Sequence, residues 1–347
     1  MGTNRRWSRR AFLGASAISL VGCGSRLPRF PFDRSAFWRS RGLPLEITYY
    51  SVGCFLVRYG QTALLTDPFW SHIPLRQVAL GELTHDLQEI DLHRHDLAQV
   101  SAVVVGHSHY DHCMDLDEIA ADLHKDARIY GSRTLQHIFA KSQLPRPIVT
   151  VNDRLTEPRR IGPWFYNEER SLRILPIRSA HPNQWLCFHL YKEQLRQDLP
   201  KPPRHVSDFQ EGLTFAFLVD FLEQEQPVKR IYVQTSSTGY PAGFFPESIL
   251  AECPVDVALL AMDCANIKRH SRKRSIIDYL QPSHVIFCHW EDFFEPKAGV
   301  PKEIVKVDLP DLKQFFEAQT DRNYLFPYWN SRFVFAEQSY RELRLRP

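Results

Sequence analysis

A chain of 347 residues, 44% hydrophobic and 12% aromatic, suffices for one large globular core, which sets aside disordered, repetitive and disulfide-stapled classes. The formal charge of +3 belongs to the N-terminus: residues 1–22 hold Arg5, Arg6, Arg9 and Arg10 and no acid, so the remainder stands at −1. A nucleic-acid-binding protein, which needs a basic face, is therefore not expected.

The first two dozen residues have a basic start, a short apolar run from Ala11 to Val21 and then Cys23, the pattern of an export signal. The run is too short to span a bilayer, which takes about 20 apolar residues. "SRRAFLG", Ser8 to Gly14, resembles the twin-arginine export motif, and "LVGC" resembles a bacterial lipobox with Cys23 as the lipidated residue. That resemblance implies a signal at 1–22, a tether at 23–44 and a single body at 45–347, folded before export and lipid-anchored on the periplasmic side of a bacterial envelope. A preloaded cofactor is one reason to use that route. Cys54, Cys113, Cys187, Cys253, Cys264 and Cys288 remain and form no CxxC pair; their even number permits disulfides, but a body of this size does not need them.

From Leu45 onward short apolar runs alternate with helical patterns, which predicts an α/β or α+β body. The runs end repeatedly in chemically capable residues: "TALLTD" at Asp67, "SAVVVGH" at His107, "LRILPIRSAH" at His181, "RIYVQTSS" at Ser237, "VDVALLAMD" at Asp263 and "HVIFCH" at His289. In an α/β protein such positions gather at one edge of the sheet, where sites form.

The densest stretch is "VVVGHSHYDHCMDL". Val103 to Val105 predict a buried strand and Gly106 a turn, and "DLDEIAADLHKDA" predicts a helix with Asp115 and Glu118 as its cap and Leu116, Ile119 and Leu123 on one face. His107, His109, Asp111 and His112 thus crowd a strand-to-helix turn. Imidazoles suit zinc, iron, manganese or nickel, and the carboxylate adds a harder oxygen ligand, for one ion or two. Capping a helix would need only one or two of these side chains.

"HSHYDH" resembles the His-x-His-x-Asp-His signature of the metallo-β-lactamase superfamily, and the other landmarks follow in order over roughly residues 45–295. The opening "TDP" at Asp67 is most like the branch containing ascorbate-6-phosphate lactonases and N-acyl phosphatidylethanolamine phospholipases. The resemblance implies a four-layer αββα sandwich and one metal on His107, His109 and His181. It implies a second metal on Asp111, His112 and His289, with Asp67 hydrogen-bonding a histidine. One departure stands out. Where the family carries a bridging Asp, "SSTGY" places Ser237, and a neutral hydroxyl removes charge needed to hold two cations close together. The second ion is then expected to bind weakly or be absent, with Asp263 as a candidate substitute.

Two insertions are expected. Residues 70–99, with His72, His85, His93 and His95, read as a covering loop whose Phe69, Trp70 and His72 are placed to line a wall of the site. Residues 185–211 carry apolar and aromatic side chains that read as packing. The basic run "KRHSRKRS" offers Arg269, Lys273 and Arg274 to an anionic substrate.

These readings lead to a metal-dependent hydrolase with one or two divalent ions, zinc before manganese or iron, and with Asp111 orienting the attacking water or accepting its proton. The expected substrate is a small molecule or lipid, a phosphodiester in a phospholipid-like molecule first. A lactone or carboxylic ester is the alternative, and a non-catalytic metal-stabilised binding protein the further one. Contact with the membrane is expected through the N-terminal lipid, and none with nucleic acid.

Overall fold

The computed structural model describes residues 43–182, 190–236, 239–262, 275–304 and 323–336, and the backbone of 339–344. Cys23, Cys187, Ser237, Asp263, Cys264, Arg269, Lys273 and Arg274, and with them the signal, the tether and the basic run, lie outside the described residues.

The chain begins with β1 (Leu45–Ser51), β2 (Cys54–Tyr59) and β3 (Thr62–Thr66) as antiparallel neighbours. Parallel additions follow: β4 (Val100–Val104), β5 (Arg128–Gly131) and β6 (Ile148–Thr150). The second sheet starts with β7 (Phe165–Tyr166), β8 (Leu172–Arg178), β9 (Phe215–Glu223) and β10 (Gln226–Gln234), all antiparallel. It continues with β11 (Val257–Ala261), β12 (His284–Cys288) and β13 (Asn323–Leu325), all parallel. The chain then returns to the first sheet as β14 (Ser331–Ala336) and β15 (Ser339–Arg344), so the sheet orders are β15-β14-β1-β2-β3-β4-β5-β6 and β13-β12-β11-β10-β9-β8-β7.

The two faces of β2 show how the layers stack. Phe55 and Val57 join the core shared with the second sheet, together with Val104, Leu175, Phe217 and Leu259. Cys54 and Leu56 point the other way, into a core with Val103, Ile119, Leu135 and Phe139. That alternation is the period-2 pattern of a strand buried on both sides. Helix α5 (Arg133–Phe139, capped by Ser132 Oγ) covers the first sheet. On the second sheet, α6 (Glu247–Glu252) contributes Ile249 to the shared core, and α7 (Ile276–Leu280, capped by Ser275 Oγ) contributes Ile276 and Leu280. The result is the expected helix-sheet-sheet-helix sandwich.

Segment 70–99 departs from expectation. It holds helices α1 (Leu75–Leu80) and α2 (Leu87–His93) and a 3₁₀ turn at Arg94–Gln99, and Ile73, Val78, Ile90 and Leu97 are buried beneath them. Trp70 packs against Tyr50 and His93, which makes it a core residue rather than part of a site wall. The helix predicted from Asp115 also differs: two one-turn helices form instead, α3 (Tyr110–Cys113) and α4 (Leu116–Ile119). Asp115 stands at the N-cap position of α4 but makes no side-chain cap bond. Its fully buried carboxylate accepts from the amides of Trp70 and Ser71 and from Ser71 Oγ, and pairs with His85 Nδ1 at 2.9 Å. A buried carboxylate gains more from several donors than from one cap bond, so tertiary demand overrides the local motif.

Beyond position 185 the expected packing is seen in the described part: Leu195, Leu199, Val206 and Phe209 lie against the outer core of the first sheet. Cys54, Cys113 and Cys253 are free thiols, and all three are buried, as is Cys288. Among the described residues no helix is long and apolar enough to cross a membrane.

Candidate metal centre

Parallel pairing brings Asp67 and the turn containing His107 to one edge. Thr66 stands beside Val104 in β3 and β4, so Asp67 and the turn containing His107 leave the sheet together. Asp67, with φ +37, turns its carboxylate into that junction: Oδ1 accepts the Gly106 amide at 2.6 Å and Oδ2 accepts His112 Nδ1 at 2.7 Å. Position 106 has no room for a side chain, since a Cβ there would stand 2.5 Å from Thr235 Oγ1. Beyond it α3 makes its single turn, presenting Asp111 and His112 immediately after His109.

The structure brings all six proposed ligand side chains together. His107 lies within 4.7 Å of His109 and 4.6 Å of His181, ring centre to ring centre, and His109 and His181 are 4.8 Å apart. Asp111 Oδ2 is 3.6 Å from His112 Nε2 and 3.4 Å from His289 Nε2. Two trios result, His107/His109/His181 and Asp111/His112/His289, each with ligand atoms within 4.8 Å of one another. His107 and His112, at 4.0 Å between ring centres, join them.

Hydrogen bonds select the nitrogen that each ring presents. A carbonyl only accepts, so His109 donates through Nε2 to Tyr191 O at 3.3 Å and His181 through Nδ1 to Pro182 O at 2.6 Å. His112 donates through Nδ1 to Asp67. In the neutral rings the lone pair is then on Nδ1 of His109 and on Nε2 of His112 and His181. Among the described residues neither nitrogen of His107 has a hydrogen-bond partner, nor does His112 Nε2, and both rings are buried.

The electrostatics agree with this arrangement. Burial, reinforced by the neighbouring imidazoles, pushes His107 and His181 well below the usual histidine range. Burial alone would raise the Asp111 carboxyl, but His112, His289 and His109 outweigh it and hold it well below the usual carboxylate range. His107 and His181, kept neutral by burial, and the ionised Asp111 carboxylate, together with buried nitrogens on His107 and His112 that have no hydrogen-bond partner among the described residues, form a donor set that fits divalent ions.

Some neighbours left no trace in the sequence reading. The Tyr191 and Pro182 carbonyls, and the Glu211 carbonyl that takes the Ser108 amide at 3.0 Å, are backbone atoms, which residue identity does not announce. Phe293 was findable in "HWEDFF": its ring is 5.2 Å from His289 and edge-on to Phe69, which is in turn edge-on to Tyr110. Phe69 and His72, stacked at 6.0 Å, belong to this aromatic side of the centre.

A family model described as Beta-lactamase superfamily domain matches residues 62–197, the stretch from β3 through both metal-facing turns to His181 and beyond. No curated protein matches the chain. Among solved structures, Igni18, a metallo hydrolase from the archaeon Ignicoccus hospitalis, aligns with a TM-score of 0.50 and 14% identity over 84% of this chain and 98% of its own. The isothiocyanate hydrolase from Delia radicum gut bacteria aligns with a TM-score of 0.50 and 14% identity over 84% and 99%. At that identity the likeness establishes the fold, the αββα metallo-β-lactamase sandwich.

Proposed function

We propose that the chain uses this metal-dependent hydrolase fold as an enzyme, cleaving a phosphodiester in a phospholipid-like substrate. The observation that carries the hydrolase reading is the pair of adjoining trios with unpartnered buried nitrogens on His107 and His112. His107, His109 and His181 would hold one divalent ion, and Asp111, His112 and His289 a second, zinc before manganese or iron. When bound, such an ion polarises a substrate oxygen and brings the pKa of water down toward neutrality.

The protein's own groups do the rest. Asp67 keeps the proton of His112 on Nδ1, which leaves Nε2 as the ligand atom. Asp111, held ionised by its neighbours, orients the attacking water and takes its proton on a carboxylate oxygen. Phe69, Tyr110 and Phe293 exclude bulk water from the His289 side. With Ser237 at the position of a shared anion, the Asp111 trio binds its ion more weakly than the all-histidine trio, and Asp263 is the candidate to make up the missing charge.

Three sequence features support the substrate class: the "TDP" resemblance, the lipoprotein-like N-terminus and the basic run with Arg269, Lys273 and Arg274. In this reading Cys23 carries the lipid and keeps the enzyme at the periplasmic face of the envelope, beside its substrate. The test is metal analysis followed by a panel of bis(p-nitrophenyl) phosphate, a phospholipid, a p-nitrophenyl ester and a lactone. Phosphodiester turnover that disappears on chelation and returns with Zn²⁺ is the expected result. Turnover of the ester or lactone alone would replace the substrate assignment, and tight metal without turnover of any of the four would leave a binding protein.

A further inference from the structure

The turn between β1 and β2 and the segment after β12 are tied together around His289, and the tie runs through Glu291. Glu291 is 1% exposed. Its Oε1 accepts the Val52 amide at 2.6 Å and the Tyr49 hydroxyl, and its Oε2 accepts the Trp290 amide at 3.2 Å. Val52 returns its carbonyl to the His289 amide at 3.0 Å. Both Val52 (φ +49) and His289 (φ +58) are non-glycine residues in the left-handed region, which such residues hold only where the surroundings over-determine it.

The same turn reaches the other half of the trio. A Cβ on Gly53 would stand 2.5 Å from Asp67 Oδ2, the oxygen that holds His112, and the Gly53 carbonyl takes Thr66 Oγ1 at 2.5 Å. The β1–β2 turn therefore lies against Asp67 on one side and supports the His289 backbone on the other. His107 and His109 follow β4 and His181 follows β8, on elements outside this tie.

We propose that Glu291 is a positioning residue for the second trio: it fixes Val52, Val52 fixes the backbone of His289, and the His289 ring is thereby set 3.4 Å from Asp111 Oδ2. The inference rests on the two-trio reading of the preceding subsection. The tie to Val52 depends on the reach of Oε1, because a glutamine oxygen accepts the same Val52 and Tyr49 donors and gives up only the longer Trp290 bond to Oε2, while an aspartate falls one methylene short.

Titrating Co²⁺ into the metal-free full-length protein, followed by calorimetry and visible absorption, reads the two affinity classes separately. Glu291→Asp should weaken the weaker class by about tenfold or more, the scale on which groups behind a ligand act, and leave the tight class within about twofold. Glu291→Gln should stay within about twofold of wild type at both, and Tyr49→Phe should weaken the weaker class by about fivefold. An unchanged Glu291→Asp, equal losses in Asp and Gln, or parallel loss in both classes would overturn the role. Should Glu291→Asp fail to fold, Tyr49→Phe decides, and an unchanged weaker class in it overturns the proposal. A wild type that binds no Co²⁺ sinks the metal reading itself, whereas two wild-type classes with a silent Glu291→Asp sink only this inference.

Discussion

Among the described residues, two of the clusters of buried polar side chains are finished differently. On the second sheet, Asp220 accepts from Arg173 Nε at 2.8 Å and from Arg230 Nε and Nη2 at 2.6 and 2.8 Å. Arg230 Nη1 goes to the carbonyls of Ile249 and Cys253, and Arg173 Nη2 to Glu252 at 2.7 Å. Two cations meet two anions, and the guanidinium groups of both arginines lie over Trp164. At the sheet edge, by contrast, His107 is buried with neither nitrogen hydrogen-bonded among the described residues, and His112 with only its Nδ1 bonded. A structural network satisfies itself from within the chain; a ligand site leaves donor atoms for something the chain does not encode.

The widest separation of the two is expected from removing one member of each. His107→Ala should lose the tightly held ion and, with several kilocalories per mole of charge stabilisation gone, reduce hydrolysis by about a thousandfold or more. It should also abolish the about 2.7 kcal/mol of stabilisation that the tightly held ion gives the wild type when Zn²⁺ is at a hundred times that site's Kd, leaving only what the second trio contributes. A turnover assay checks the first and thermal unfolding at that Zn²⁺ concentration the second, and retention of the full Zn²⁺-dependent shift would mean that His107 is not a ligand. Asp220→Ala should do the reverse. Stranding Arg230 costs about 3–5 kcal/mol in denaturant unfolding, and metal affinity in the folded fraction stays at the wild-type value.

Between these extremes lies Asp67, which is fully satisfied itself yet serves an unsatisfied ring. Asp67→Asn keeps the shape but loses the charge that holds the His112 proton on Nδ1. A loss of about 10- to 100-fold in affinity at the weaker metal class should follow, read by metal titration, with a smaller effect on the tighter one. Equal affinity at both classes in Asp67→Asn would place the residue with the structural network instead.

The contrast also shows which parts were legible in the sequence. His107, His109, Asp111 and His112 could be read because they are side chains at the end of an apolar run, and Asp67 and His289 because parallel pairing makes strand ends into neighbours; His181 ends at the same edge because β8 is antiparallel to β9 and β9 to β10, so that β8 runs in the direction of β10. Asp115 misled, since its sequence spells a cap while its carboxylate is claimed by Trp70, Ser71 and His85 from a segment thirty or more residues away in the chain. Tyr191 and Pro182 could not be read at all, because a backbone carbonyl is the same in every residue. Arg173, Asp220 and Arg230 looked like ordinary alternating polar positions in β8, β9 and β10; only the pairing register, which sets Arg173 and Arg230 opposite Asp220, turns them into a network.

His72 tests whether a bare buried nitrogen is enough to mark a ligand. Its Nδ1 donates to the Glu295 carbonyl at 2.8 Å and its Nε2 has no hydrogen-bond partner among the described residues, as at His112, but it belongs to neither trio. Burial, with Lys297 adding to it, pushes its pKa down to about 3. That value lies below the unfolded one, near 6.5, so between the two the unfolded chain takes up a proton that the folded chain refuses. The stability from keeping His72 neutral is fully present above about pH 6.5 and is lost as the pH falls toward 3, by about 1.4 kcal/mol between pH 7.5 and 5.5. His72→Asn cannot titrate, so the difference between wild type and variant, measured by urea unfolding of the metal-free proteins, should narrow by that amount over the interval. Taking the difference cancels the acid sensitivity of His107 and His181, which both proteins share. Metal titrations of wild type and His72→Asn should coincide; a lost ion in the variant would make His72 a ligand and extend the site beyond its two trios.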